Sequence, residues 1–490
     1  MPVSIRRWLE VQGFERNPFE YYEADREERL ASYFIEPEWF EALRGDTRQP
    51  ASAVLFAPRG HGKTSQRLQI ARLCGVDAQH PALVVQITDY KWLPDDLARL
   101  TATDYLRYIA GRAAQQLWER YSADAEVRER FTAQPFELLR LHALRFWAAV
   151  PAYRIRLPEP VFEPATLATL ARRLRLPAAL DDPQLLVEQF AQHYDGMTDG
   201  DLQAELLELA RLAGFVSLYV LIDRTDEDLQ TAHNLETVVA RIKPLISDLP
   251  VIEHVGFAFK FFLPDTLELL LMERRIGRVG ERPPSYPLRW RESDLLSMLA
   301  RRLQTHSQLP GRVTRAARVN RFQDLCATGG NVDLRLVRAA ECSPRRMIQL
   351  ARELIEQHCS EVDDAERKLG PDLIERLIPA PIPLISLDAD GFICFNGRRD
   401  ESVKLTSKDR EILAALWSHR GQIIAKRTLT RAIYGKDEPN DVEALEKAVK
   451  RLRHTIAASP HAAKGVATYL DYVRLAGYRL INYAPDASLG

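Results

Sequence analysis

The chain has 490 residues, 46% of them hydrophobic and 28% charged, with 67 Lys and Arg against 68 Asp and Glu. That balance excludes a disordered polypeptide, and no apolar run reaches the length of about 18 residues that a membrane span needs. Five scattered cysteines without a C-x-x-C pair argue against a disulfide framework and a structural zinc site, and they fit a reducing cytoplasm.

The start, Met-Pro-Val-Ser-Ile-Arg-Arg-Trp, lacks the apolar segment of a signal peptide. At about 100–200 residues per domain, the length predicts roughly three domains. The near-neutral total hides an asymmetry. Residues 380–490 carry 17 Lys and Arg against 13 Asp and Glu, and the rest of the chain is acidic. Any nucleic-acid contact is therefore expected at the C-terminal end.

Residues 1–50 read as a lead-in segment, marked by Asn17-Pro18-Phe19 and a cluster from Tyr33 to Pro37. The apolar run Ala51 to Ala57 reads as a buried parallel strand, followed by a helix over Thr64 to Leu73. Ala82 to Thr88 is a second strand. Residues 93–213 are Leu-, Ala- and Arg-rich with a helical pattern, and read as a large insertion. Phe215 to Ile222 and Val255 to Leu263 are a third and a fourth strand. Strands separated by helical segments predict an α/β fold with a parallel sheet covered on both faces. The core is expected over 51–270 and a helical lid over 271–378. Residues 379–383 hold three prolines and read as a stiff linker. Residues 384–490 read as an independent domain, with strands Leu384 to Leu387 and Phe392 to Phe395 and helices near Thr406 to Trp417, Ile424 to Tyr434 and Asp441 to Ile456. A β-hairpin closes it.

Between the first strand and its helix stands Ala57-Pro58-Arg59-Gly60-His61-Gly62-Lys63-Thr64-Ser65, which fits the Walker A pattern [AG]-x4-G-K-[ST]. Glycines let backbone N–H groups turn inward around phosphate oxygens, and the helix N-terminus adds a favourable dipole. Lys63 is expected to meet the β- and γ-phosphates of ATP, and Thr64 to offer its hydroxyl to Mg2+. The third strand ends in Asp223-Arg224-Thr225-Asp226-Glu227, an apolar strand running into acid as in Walker B. Asp223 is the expected Mg2+ residue. Asp226 or Glu227 is expected to orient the attacking water, with Glu227 preferred for its reach.

This combination resembles the AAA+ and STAND groups of P-loop ATPases over roughly residues 15–360. Arg224 stands where AAA+ proteins usually carry Glu, so the STAND-like form is nearer. The resemblance implies that Asn17-Pro18-Phe19 packs near the adenine. It also implies that Arg345, in Cys342-Ser343-Pro344-Arg345-Arg346, acts as a lid arginine reaching the γ-phosphate. Arg274, Arg275 and Arg278 are candidates for an arginine finger acting on a neighbouring subunit. Lys260 is either a sensor-like residue or a lysine that blunts a sheet edge.

In the helix at Asp441 to Ile456, Leu445, Val449, Leu452 and Ile456 share one face, and Lys447, Lys450, Arg451 and His454 share another. A core stripe opposite a basic stripe suits a groove-entering helix. Together with Leu405-Thr406 and Val473-Arg474-Leu-Ala-Gly477-Tyr478-Arg479-Leu480, this domain resembles the winged helix-turn-helix output domain of two-component response regulators, the OmpR/PhoB type. That resemblance implies double-stranded DNA as partner, with Lys447, Lys450, Arg451 and His454 on the recognition helix and Arg474 on the wing.

The expected function is an ATP-dependent switch that regulates transcription, hydrolyses ATP slowly and forms a homo-oligomer in one nucleotide state. Two alternatives stay open. One is an assembly or defence ATPase that uses the winged helix, or the helical insertion, to hold a protein partner. The other is a DNA-remodelling ATPase.

Overall fold

The computed structural model describes residues 2–94, 96–149, 192–228, 234–307, 319–327, 331–378, 384–388, 390–395, 397–436, 438–462, 468–474 and 476–483. The proline linker 379–383, residues 150–191 of the insertion and Leu475 lie outside the described residues.

A five-stranded parallel sheet organises the larger part of the chain. Its strands are β1 (Ala53–Ala57), β2 (Ala82–Ile87), β3 (Ser217–Ile222), β4 (Phe257–Pro264) and β5 (Ser285–Pro287), in the spatial order β2-β3-β4-β1-β5. The four strands expected from sequence are present. The fifth is three residues long and pairs with β1 from beyond residue 270. It carries Ser, Tyr and Pro, too short and too polar to stand out as an apolar run. Because all pairs are parallel, every strand ends at the same edge, where open α/β sheets bind ligands.

The period-two alternation of the strands sorts the core into two layers. Val54 and Phe56 of β1 face one layer, and Ala53, Leu55 and Ala57 face the other. The first layer is covered by α3 (Ala102–Ala123), α4 (Ala125–Ala133), α5 (Pro135–Ala149), α6 (Asp199–Leu212), α7 (Leu235–Ile246) and α8 (Thr266–Glu273). The insertion is thus helical where it is described. The second layer joins α1 (Ile5–Val11) and the lead-in segment to α2 (Lys63–Cys74), α9 (Glu292–His306), α10 (Val332–Ala339) and α11 (Pro344–Glu361). Trp8 is fully buried there and its ring N–H donates to Arg367 O at 2.8 Å. The lead-in therefore packs with the lid helices.

Lys260 has neither expected role. It lies on β4, an interior strand, so it cannot blunt an edge. Its partner in register is Ala53, at the start of β1, which places it at the far end of the sheet from residues 58–64. It is buried, its Nζ donates to Ala51 O at 2.5 Å, and it lies over the Tyr219 ring. Burial pushes its pKa down to about 7.

The C-terminal unit has its own apolar cluster. Three short strands form an antiparallel sheet in which β7 (Ile393–Phe395) pairs with β6 (Ile385–Leu387) on one side and β8 (Arg398–Arg399) on the other. Then come α12 (Ser407–Ser418), β9 (Ile423–Ile424), α13 (Lys426–Tyr434), α14 (Pro439–Ala457), β10 (Leu470–Val473) and β11 (Gly477–Leu480). The second helix of this unit starts two residues later than expected, because Ile424 pairs with Tyr478 of β11 instead. Thr406 caps α12 in a reciprocal capping box with Asp409.

Candidate functional site

The loop after β1 is built by two left-handed glycines. Gly60 and Gly62 take φ values of +81° and +96°, which a side chain adopts only with strain. Gly60 is also closely approached: a Cβ there would meet Ser343 Oγ and Arg345 Cβ at 3.3 Å. Arg345 N donates to Gly60 O at 3.3 Å, so the start of α11 rests on the loop. His61 N donates to Pro58 O at 3.3 Å, and His61 O accepts from Trp290 Nε1 at 2.8 Å. Burial lowers the His61 pKa. Lys63 opens α2, is buried, and donates from Nζ to Ala57 O at 3.0 Å.

Thr64 and Asp223 meet across the edge of the sheet. Thr64 Oγ1 donates to Asp223 Oδ2 at 2.9 Å. Asp223 is 1% exposed. Sequence reading missed what surrounds it. Arg67, one helical turn after Lys63 on α2 and 4% exposed, donates from Nε to the same Oδ2 at 3.0 Å. Its other nitrogens reach Gln86 and, at 2.5 Å, Asp25 of the lead-in. Arg67 left no signal beyond its place one turn after Lys63 on the same helix face. Asp25 left none, because its role depends on the lead-in folding back across the sheet edge.

Asp25 also pairs with Arg224, which takes a left-handed φ of +62° and pairs with Glu227 at 3.4 Å. Of the two candidate water-orienting acids, Glu227 lines the cleft described next, and Asp226 has a buried Oδ1 without a hydrogen-bond partner.

The cleft spans about 800 Å³, counting the solvent-open space at its mouth. One end is formed by Arg59, Gly60, Gly62, Lys63, Thr64 and Ser65. The rest of the lining is shared between lead-in and lid: Tyr22, Leu30, Tyr33 and Phe34 with Met298 and Ile348, and among them the charged pair Glu27 and Arg302. Asn17-Pro18-Phe19 is one layer behind this wall: Phe19 is buried edge-on against Phe322, and Pro18 O accepts from Arg302. Arg302 in turn pairs with Glu27, whose Oε2 accepts from Tyr33 Oη at 2.6 Å. Arg345 lines the cleft. The three arginine-finger candidates do not. Arg274 is paired with Glu236 at 2.5 Å, and Arg275 and Arg278 follow on left-handed backbone.

In the C-terminal unit, Leu445, Val449, Leu452 and Ile456 of α14 are buried as expected. Lys447, Lys450, Arg451 and His454 are exposed together on the opposite side, and Arg474 is exposed beyond the end of β10. Two of these cations are already engaged. Lys447 pairs with Glu443 at 2.7 Å, and Arg451 reaches the Asp409 carboxylate of the α12 cap at 2.7 Å. Arg451 therefore ties α14 to α12.

Among the described residues, no group of three or more His, Cys, Asp or Glu is placed to hold a metal ion unaided, and no helix is long and apolar enough to cross a membrane. Residues 400–480 match the family described as "Transcriptional regulatory protein, C terminal". The matched span runs from before the α12 cap to the end of β11. The C-terminal unit is thus a winged-helix DNA-binding domain of the transcription-regulator kind, preceded by a separate unit built on a parallel α/β sheet.

Proposed function

We propose that the chain is an ATP-binding switch protein of the STAND/AAA+ type that couples nucleotide state to double-stranded DNA binding, and so regulates transcription in the cytoplasm. The observation that carries this reading is the edge of the sheet. Two left-handed glycines, a buried lysine and a threonine paired to a buried aspartate converge on a cleft whose other lining is mostly aromatic and aliphatic. That division suits a triphosphate at one end and a base at the other.

In this reading Lys63 leaves Ala57 O for the phosphates, and the loop N–H groups from Gly60 to Thr64 donate to the remaining phosphate oxygens. Thr64 and Asp223 would hold Mg2+, since hard oxygens 2.9 Å apart suit it. When bound, Mg2+ supplies charge neutralisation on the phosphates. Glu227 would accept the proton of the attacking water, and Arg345 would steady the terminal phosphate. The Arg224–Glu227 pair must open for Glu227 to act, which fits slow hydrolysis. Assembly into a homo-oligomer in one nucleotide state belongs to the same proposal.

The test is a titration of fluorescent ATP onto the purified chain and its Lys63→Ala variant. A fall in affinity of about 100-fold or more is expected, since a lysine meeting a phosphate is a charge-assisted contact. Unchanged affinity would sink the reading. One observation favours a second reading, in which the winged helix docks a protein. The ion pairs of Lys447 and Arg451 reduce the positive charge offered to DNA. Capture of a protein by residues 384–482 in nuclease-treated extract, without duplex binding, would decide for it. A DNA-remodelling role predicts hydrolysis stimulated by duplex DNA.

A further inference from the structure

The winged helix does not stand clear of the sheet. Arg479 of β11 reaches Asp265, the residue that follows β4, with Nη1 to Oδ2 at 3.5 Å. Its Nη2 is held by Asp471 of β10 at 3.1 Å, so the guanidinium is braced from its own hairpin. Both side chains are about three-quarters buried. Beside them, α8 lies against β9, the third strand of the wing sheet.

Asp265 is joined to the glycine loop through one atom. Its backbone N–H donates to Ala57 O at 3.1 Å, and the same carbonyl accepts from Lys63 Nζ at 3.0 Å. His61, on that loop, lies within electrostatic reach of both Asp265 and Arg479. The residue expected to meet a phosphate and the residue that holds the wing therefore share an acceptor.

We propose that Asp265 and Arg479 form a latch that keeps the winged helix seated on the loop end of the sheet and weakens its grip on DNA until nucleotide binds. This rests on the reading that nucleotide occupies the cleft. When Lys63 turns to the phosphates, Ala57 O loses a donor and the loop from Pro58 to Gly62 rearranges around the new anion. Asp265 moves with the carbonyl its amide holds, and a carboxylate already 3.5 Å from its cation loses the contact. The wing sheet is then released from α8, and Arg474 and α14 can turn together onto a duplex.

The experiment measures duplex DNA affinity of the full chain at fixed salt, with and without ATP. The proteins are wild type, Asp265→Asn, Arg479→Ala, and the exchange of both charges, Asp265→Arg with Arg479→Asp, made together with Asp471→Asn so that the new carboxylate does not face the old one. Wild type is expected to bind about fivefold more tightly with ATP, the scale of one partly buried ion pair. Asp265→Asn, which lies outside the DNA-binding unit, should bind without ATP as wild type does with it and respond no further. The charge exchange should restore the response. If wild type responds to ATP and Asp265→Asn responds equally, the latch is wrong and the switch reading stands. If wild type ignores ATP, the switch reading fails. The latch is then judged on the ATP-free affinities alone, and equal values for wild type and Asp265→Asn overturn it. Arg479→Ala separates a direct DNA contact, which would lower affinity in every state.

Discussion

The most consequential residue for stability at the cleft is Arg67. It is the buried cation beside a carboxylate that is 1% exposed, and removing one partner of such a pair leaves a charge in a poor solvent. Arg67→Met should cost about 3–5 kcal/mol in urea unfolding, and adding Asp223→Asn should recover much of that loss. Lys260 gives a pH test. Its pKa is about 7 in the folded chain and 10.5 is its ordinary value, so between these limits the unfolded chain holds the extra proton. Stability therefore rises with pH through that window relative to Lys260→Met. Cys74 beside it, pushed up to about 11, works the other way above its ordinary pKa of 9.0. The comparison is thus cleanest between pH 7 and 9, and a flat difference over that range would contradict the assignment. At the catalytic level, Glu227→Gln should keep ATP binding and lose about 100-fold or more in hydrolysis. Asp226→Asn should be the milder change, because its side chain does not line the cleft.

At the scale of elements, the wing depends on one close approach. Gly477 opens β11 with φ of +150°, and a Cβ there would come within 1.9 Å of Ile424 O. The strand β9 could not stay paired beside it. Gly477→Ala should therefore destabilise the C-terminal unit by about 3 kcal/mol or more, read as early loss of its unfolding transition and of DNA binding together. Helix α14 shows a second dependence. Arg451 reaches the cap of α12, so Arg451→Ala should shift stability as well as affinity. Lys450→Ala and Arg474→Ala should leave the thermal transition in place. Each should lower the slope of log affinity against log salt by about 0.9, the signature of one lost phosphate contact. Unchanged slopes for both would favour the protein-docking reading.

At the scale of the whole molecule, the arrangement joins three segments that are far apart in the chain. The lead-in supplies one wall of the cleft, the lid the other, and the winged helix touches the sheet edge behind the loop. Nucleotide binding would tighten the first pair and, through Asp265, loosen the third. Chemical denaturation of the full chain should consequently show two transitions, with ATP raising the one that belongs to the sheet unit. By mass action the shift is about 2.7 kcal/mol at 100 times Kd. A single transition moved as one by ATP would mean that the two units unfold together.

Local patterns in the chain were enough to place the strands β1 to β4, the glycine loop, Asp223 and the three helices of the C-terminal unit. Each is written in consecutive residues: an apolar run, a glycine and lysine at fixed spacing, a helical stripe. The strand β5, the ion network of Asp25, Arg67 and Arg224, the interior position of Lys260 and the contact of Arg479 with Asp265 were not legible. Each of those depends on which segments fold side by side, and charges hundreds of residues apart carry no sign of pairing until packing removes the water between them. The types of chemistry were therefore set by short motifs, whereas the partners that restrain or release them were set by the packing of lead-in, sheet, lid and wing around one edge.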